Sequence, residues 1–378
     1  VTGEVSDPTA TTGPVHIVGT GLLGTSIALA LTARGVPVTL TDTSPSALAL
    51  SRDLGAGSIA GPDDPPPALV VVAAPPDVTA DLVAAELRSR PSAVVTDVAS
   101  VKAIVLAELT GHAAADPELD LSRYIGSHPM AGRERSGAGA ASADLFLGRP
   151  WVIAPHERTS AEAVLAMRNL VADLGAATVS MDPAEHDGAV AVVSHLPQLM
   201  ASLTAARLVD APEASLALAG QGLRDVTRIA ASDPRLWSAI LTGNAPAVLP
   251  VLRGVRTGLD ELIASLGAAA EHGPLAPGAV SGISAVIGAG NEGVAKVPGK
   301  HGGTRKRYAE VSVLVPDEAG ELGRLFSEVG EIGVNIEDFQ MEHSPKQKVG
   351  MAIVSVVPTA AARLETALEE RGWRVVVQ

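Results

Sequence analysis

Two stretches of this sequence carry residue types at spacings suited to chemistry. The first is Gly19-Thr20-Gly21-Leu22-Leu23-Gly24, a GxGxxG. Lacking side chains, the first two glycines of such a loop permit a tight turn and close approach to a pyrophosphate. The third lets the following helix pack on the preceding strand, and the helix N-terminus faces the anion. Glycine is common here, 38 of 378 residues, so the hexapeptide alone discriminates weakly. Its weight comes from context: an apolar run precedes it, an Ala/Leu-rich stretch follows, and an acid, Asp42, stands 18 residues beyond Gly24. A carboxylate at the end of a second strand can accept from both hydroxyls of a ribose and would repel a 2′-phosphate. No cation adjoins Asp42, and the nearest downstream is Arg52. The pattern predicts NAD rather than NADP, held by Gly19, Gly21, Leu22, Leu23, Gly24 and Asp42. The plain alternative for Asp42 is a helix-capping turn residue. The second stretch is Gly126-Ser127-His128-Pro129. A neutral imidazole at a strand end can take a proton from a hydroxyl. Read by itself, His128 equally suits a turn histidine with its hydrogen bonds satisfied.

Residues this specific need a frame to hold them. Apolar runs at 15–19, 36–41, 69–74, 93–98, 124–127 and 151–154 alternate with helix-like stretches such as 22–34. That alternation predicts a mainly parallel, doubly wound α/β sheet of Rossmann type over residues 15–182. His128 and Ser100 then fall at C-terminal strand ends, where open α/β sheets place their ligands. Ser100 suits a helix N-cap for 101–109 just as well. From about residue 183 the pattern turns to long Ala/Leu-rich periodic stretches broken at Pro212, Pro234 and Pro246. These predict about four helices in an all-α second domain, 183–285, of a kind that often dimerises through apolar faces. Residues 286–307, rich in Gly and Lys/Arg, read as a linker or ordered loop. Its basic end, 296–307, is either a solvated connector or an anchor for an anion. Residues 308–378 read as βαββαβ, the ferredoxin-like arrangement, with helices at 321–332 and 360–371.

Bulk properties exclude several functions. A net charge of −14 argues against a nucleic-acid surface. The absence of cysteine excludes disulfides, thiolate nucleophiles and cysteine-ligated metals, and fits a reducing cytoplasm. No metal is expected. Aromatics are only 2% of residues, so Ala, Val, Leu and Ile must fill the cores. The first 14 residues, polar and small, read as a frayed, disordered tail rather than a signal peptide. No apolar run approaches the roughly 20 residues needed to span a bilayer, and no membrane role is expected.

Gly126-Ser127-His128-Pro129-Met130-Ala131-Gly132, followed by Arg133-Glu134-Arg135-Ser136-Gly137, resembles the signature of prephenate dehydrogenases. So do Asp97-Val98-Ala99-Ser100-Val101-Lys102, Ser194-His195-Leu196-Pro197, and the block from Asp225 through Arg228 to Pro234 that ends at Trp237. Four blocks in order are far more specific than any one. The resemblance implies NAD-dependent oxidative decarboxylation of prephenate, or of its amino analogue arogenate, on the way to tyrosine. Hydride leaves the hydroxyl-bearing carbon, a proton leaves the oxygen, and loss of CO2 makes the ring aromatic. Such a site needs a proton acceptor, a cation for a carboxylate and an oriented nicotinamide. The resemblance implies His128 as acceptor and Ser100 as a partner of the hydroxyl or the imidazole. Arg228 would grip the ring carboxylate through its guanidinium fork. Asp225, three residues earlier, would orient it, though a surface ion pair is the plain alternative. His195 is implied in substrate binding, against a buried helix-start histidine, and Trp237 lies near the pocket or in the core. Many relatives carry a second histidine where this chain has Gln198. Two rival readings are a β-hydroxyacid dehydrogenase, which usually has lysine at the reacting centre, and a non-catalytic sensor of NAD and an aromatic amino acid.

The tail resembles an ACT domain, a small amino-acid-sensing module. Asp317-Glu318-Ala319-Gly320-Glu321-Leu322 is similar to its D-x-x-G-x-L turn, and Asn335 and Ile336 fall at the opposite wall of the ligand site. The resemblance implies tyrosine or phenylalanine bound at Asp317, Gly320, Leu322, Asn335 and Ile336. Modules of this kind bind between paired copies, so a homodimer is implied; a purely structural dimerising module is the alternative.

Overall fold

Parallel strands covered by helices on both faces must be apolar throughout, and the central runs of this chain are. The computed structural model describes residues 9–132, 135–298, 308–343 and 349–376. Arg133, Glu134 and residues 299–307, most of the basic segment, lie outside them. The chain divides into two compact units, Val1–Ala206 with Ile229–Arg253, and Arg207–Arg228 with Gly254–Gln378.

In the first unit the strands are β1 (Val15–Val18), β2 (Val38–Thr41), β3 (Ser58–Ile59), β4 (Leu69–Val72), β5 (Val94–Asp97), β6 (Tyr124–Pro129), β7 (Pro150–Ala154) and β8 (Ala177–Ser180). They form one sheet in the order β3-β2-β1-β4-β5-β6-β7-β8. All neighbours are parallel except β6 and β7, which pair antiparallel. Every residue of β4 and β5 is buried. The strand order reverses between β1 and β4, which creates the crevice where doubly wound sheets bind ligands. Connecting helices are α1 (Leu22–Ala33), α2 (Pro45–Asp53), α3 (Pro76–Ser89), α4 (Ala103–Ala115) and α5 (Ala161–Asp173). The tail is not frayed throughout. The backbone N–H groups of Ala10 and Thr11 donate to the Asp173 carboxylate, at 3.1 and 2.6 Å.

Beyond β8, α6 (Pro183–Val190) runs through a π-helical turn, Ala191–His195, into α7 (Leu196–Ala206). Pro197 has no N–H, and its ring would crowd the carbonyl four residues back in a regular helix. A wider turn immediately before it relieves that conflict. Contrary to the sequence reading, this run, Pro183–Ala206, is long and apolar enough to cross a membrane by length and composition. Its polar side chains His186, Asp187 and His195 are buried within the first unit. The unit also contains α10 (Pro234–Gly243), which follows α8 (Glu213–Leu216) and α9 (Gln221–Thr227) of the second unit in the chain.

The helical stretch is cut more finely than the four helices expected, and proline does not always mark the cuts. Pro212 and Pro234 do precede or open helices. Pro246 likewise opens α11 (Ala245–His272) as its second residue, where a missing N–H costs least, whereas Pro250 lies inside that helix beyond its first four residues. The expected linker is also corrected: residues 286–296 belong to α12 (Ala279–Lys296). A Cβ on Gly282 would fall 2.1 Å from Ser265 Oγ, so glycine there lets α12 lie close against α11.

The tail forms β9 (Ala309–Pro316), α13 (Glu321–Ile332), β10 (Asp338–His343), β11 (Val349–Val356), α14 (Pro358–Glu370) and β12 (Arg374–Val376). Its antiparallel sheet has the order β10-β11-β9-β12. Val311, Val313 and Val315 share a core with Leu325, Leu364 and Trp373.

Candidate active site

The glycines of the first loop divide their labour. Gly19 has φ +98°, and a Cβ there would sit 2.3 Å from the Ala73 carbonyl oxygen just past β4. On Gly24 it would sit 1.9 Å from the Gly19 carbonyl oxygen. Around Gly21 a Cβ would meet nothing within 4 Å, so this is the face left open for a ligand to approach. Gly21 caps α1 without a side-chain bond, which leaves first-turn N–H groups for an anion. Leu22 and Leu23 open the helix with side chains partly buried against the core, and their first-turn backbone N–H groups are what they can offer an anion. Asp42 follows β2. Its Oδ2 accepts from Thr20 N and Oγ1 at 2.6 and 2.9 Å, and its Oδ1 from Ser44 N at 2.7 Å. The carboxylate therefore braces the glycine loop, and Ser44 is the residue that caps α2. A carboxylate has about four acceptor sites, so capacity remains for a ribose hydroxyl. The loop fits a dinucleotide.

Behind the ends of β5 and β6 lies a buried polar cluster. Asp97 Oδ1 pairs with the Lys102 ammonium and accepts from Ala99 N at 2.9 Å, while Oδ2 accepts from Tyr124 Oη at 2.7 Å. Burial pushes the lysine down and the tyrosine up, and the Asp97 charge opposes the first shift and adds to the second. A Cβ on Gly126 would meet Lys102 Cδ at 3.1 Å, so the glycine before Ser127-His128 makes room for that lysine. Ser127 Oγ donates to the Asp97 carbonyl at 2.8 Å, tying β6 to β5.

His128 stands on β6 with its Nδ1 2.9 Å from His186 Nε2, and His186 Nδ1 is 2.8 Å from Asp187 Oδ1. Burial, followed by His186, Lys102 and His195, holds the His128 imidazole well below the usual histidine range. It is therefore neutral and able to accept a proton near neutral pH. Asp187 also accepts the N–H groups of Lys102 and Ala103, at 2.8 and 2.9 Å, and so caps α4 from another helix. The helix starts at Ala103 rather than residue 101, and Ser100 is not its cap. Ser100 lies half-buried in the bend after β5 and bonds no other described residue. Neither expected partner, the imidazole or the helix, holds its hydroxyl here.

His195, buried in the π-helical turn, has Nδ1 3.1 Å from Asn244 Nδ2. Asn244 Nδ2 also donates to the Asp187 carbonyl at 2.8 Å, which fixes the amide orientation. His195 Nδ1 is then an acceptor, and Nε2 carries its proton. Burial lowers this imidazole as well. The Trp237 ring meets it edge-on at 6.0 Å and packs on the core near β5 and α4. Gln198 is buried; it accepts from Ser232 Oγ and donates to Ser202 Oγ, both at 3.3 Å. Arg228 and Asp225 belong to the second unit, where both are exposed. Asp225 Oδ1 accepts from Gln221 Nε2 at 2.7 Å, one helical turn back.

The structure thus gathers His128 and His195 around three residues that the sequence reading passed over: His186, Asp187 and Asn244. His186 stands nine residues before His195, a spacing that a regular α-helix puts on opposite faces, so only the π-helical turn between them, which the sequence does not mark, could relate the two. Nothing near Asn244 in the sequence marks it.

Residues 27–180 match the family model described as prephenate dehydrogenase, nucleotide-binding domain, and residues 182–272 match its dimerization domain. The chain is 36% identical over 360 residues to the probable prephenate dehydrogenase NovF of Streptomyces niveus, covering 94% of this chain and 98% of that protein. The chain belongs to the prephenate dehydrogenase family. Two solved structures are also similar to it. Prephenate dehydrogenase from A. aeolicus, in complex with hydroxyphenyl propionate and NAD+, shares 27% identity at a TM-score of 0.63, over 75% of this chain and 98% of that one. Synechocystis arogenate dehydrogenase shares 26% at 0.56, over 74% and 99%. Within this oxidoreductase family, His128 falls in the matched nucleotide-binding domain, and His195 and Arg228 fall in the matched dimerization domain.

Proposed function

We propose that this protein carries out NAD-dependent oxidative decarboxylation of prephenate to 4-hydroxyphenylpyruvate. The observation that carries the reading is His128: a neutral imidazole at a C-terminal strand end, in a sheet whose glycine loop fits a dinucleotide. The NAD+ and hydroxyphenyl propionate of the A. aeolicus enzyme support the same pairing of cofactor and ring. Gly19–Gly24 and Asp42 would hold NAD, which would supply the hydride acceptor. His128 Nε2 takes the proton from the ring hydroxyl as the C–H bond breaks, and the electrons of the departing carboxylate complete the aromatic ring. Ser100, with its hydroxyl uncommitted to other described residues, hydrogen-bonds the substrate hydroxyl. His195 offers an Nε2–H to the substrate, and Trp237 holds the His195 ring from its edge. For Arg228 and Asp225, of the second unit, we keep the roles that the family resemblance implies, a cation for a carboxylate and the acid that orients it.

Arogenate is the second reading, favoured by the Synechocystis arogenate dehydrogenase among similar structures. Both substrates share the ring hydroxyl and ring carboxylate, so the roles above serve either. The deciding experiment offers each substrate separately with NAD or NADP and follows reduced nicotinamide. Strong turnover of prephenate with NAD is expected. Arogenate alone as substrate would change the product to tyrosine, and silence with both would sink the reading.

The tail, 308–378, we read as an ACT domain that senses tyrosine or phenylalanine in a homodimer, with 183–285 as the substrate and dimerisation region. Its support is the βαββαβ order and the turn at Asp317–Gly320, where Gly320 has φ +96° and opens α13 ahead of Leu322. Asn335, bonded to Glu337 at 2.8 Å, and Ile336 form the other wall of the ligand site in this reading.

A further inference from the structure

We propose that His186 and Asp187 are positioning residues that fix the tautomer of His128, so that its Nε2 lone pair faces the substrate hydroxyl. This rests on His128 as the proton acceptor. The assignment follows from counting protons. The Asp187 carboxylate accepts two backbone N–H groups, from Lys102 and Ala103, and as an anion it can only accept. Its contact with His186 Nδ1 at 2.8 Å must then be an N–H donated by the ring. With His186 as a neutral imidazole, its one N–H is spent on Asp187 and its Nε2 carries a lone pair. His128 Nδ1, 2.9 Å from it, must donate. That uses the single N–H of His128 and leaves Nε2 as the base.

The geometry is compatible: the nitrogens are 2.9 Å apart with ring centroids at 5.1 Å, as expected for one nitrogen facing the other, and the 76° between the planes is free to vary about that axis. His186 and Asp187 are 0% and 4% exposed, so water does not scramble the arrangement. The charged and titratable groups that act on His128 besides His186 are Lys102, whose ammonium is paired with Asp97 and has no acceptor, and His195, whose Nδ1 is engaged by Asn244. During the reaction the substrate O–H breaks and His128 Nε2–H forms. The imidazolium keeps donating through Nδ1 to His186, and the Asp187 charge lies one ring beyond. The same logic of an acid orienting a catalytic imidazole through its Nδ1–H operates in serine hydrolases, with a second imidazole interposed here.

The first test is nitrogen NMR of the histidine side chains in the full-length protein without ligands, at neutral pH. His128 is expected to be protonated on Nδ1 and bare on Nε2. In His186→Leu, Nδ1 loses its acceptor, the tautomer becomes mixed, and kcat falls on the order of 100-fold while KM moves less than about threefold. His186→Gln, whose Oε1 can accept the same N–H, regains at least about tenfold. A wild-type proton on Nε2, or a His186→Leu protein with unchanged tautomer and turnover, overturns the proposal. Should His186→Leu fail to fold, the wild-type spectrum and the glutamine variant decide. Failure of the underlying reading looks different: His128→Asn would keep its turnover, whatever tautomer the spectrum reports.

Discussion

The dinucleotide loop and the imidazole cluster occupy ends of strands in the same sheet, yet they are built in opposite ways. Gly19–Gly24 is six consecutive residues whose work is steric: two glycines vanish against Ala73 and each other, and one opens to the ligand. The cluster is assembled from β6, α6, the π-helical turn and the start of α4, with Lys102 N and Asp187 separated by 85 residues. A site made of absences can be written locally. One made of donors and acceptors needs the whole fold to bring it together, and each member must be satisfied for the next to be placed.

The largest effect that sharpens this contrast is at His128. His128→Asn should lower kcat by on the order of 10³-fold, within the range for loss of a general base, while NAD affinity by fluorescence titration stays within about twofold. Loss of NAD binding alongside turnover would mean that the two regions are not separable. Next come the glycines. Gly24→Ala drives a methyl into the Gly19 carbonyl, so about 1–3 kcal/mol of stability should go with cofactor affinity in denaturant unfolding. Gly21→Ala should weaken NAD binding with stability changed by less than about 1 kcal/mol. Equal destabilisation by both would break the division of labour drawn above.

The smallest effect is in pH. Protonation disables the acceptor, and His128 is held well below 6.5, so the acid limb of kcat/KM should lie below the ordinary histidine range. A limb centred at 6.5 or above would contradict the half-buried, neutral ring. Stability follows the same sign. His16, buried between Thr39 and Thr41, is lowered to about 4 chiefly by burial. The unfolded chain therefore binds protons first as pH falls, and stability drops between 6.5 and about 4. Denaturant midpoints compared across that window measure it.

Legibility in the sequence tracks the range of the interaction that decides each feature. Helix α13 falls on the residues expected because Gly320 and Gly333, both at positive φ, bracket it locally. The glycine loop and the alternation of strand and helix were legible for the same reason. Residues 286–296 read as a loop because Gly288, Gly290 and Gly293 dilute any period. Close packing through Gly282 on Ser265 is a tertiary fact with no local mark. At the site, His128 and His195 announced themselves through their blocks. His186-Asp187 did not, because its meaning lies in what α4 and β6 bring to it. For Ser100 the sequence left a helix cap open as the alternative, and only the fold shows that a distant carboxylate has taken that post.

That carboxylate has one more consequence. Asp187 finishes the first turn of α4 with two bonds and fixes the imidazole pair with a third. A substitution there disturbs folding yield and reaction rate together, so a screen that scores only cell extract activity would file it under poor expression. Heating should reveal the same coupling from the other side: as the start of α4 loosens, the enzyme falls silent while most of its sheet is still intact.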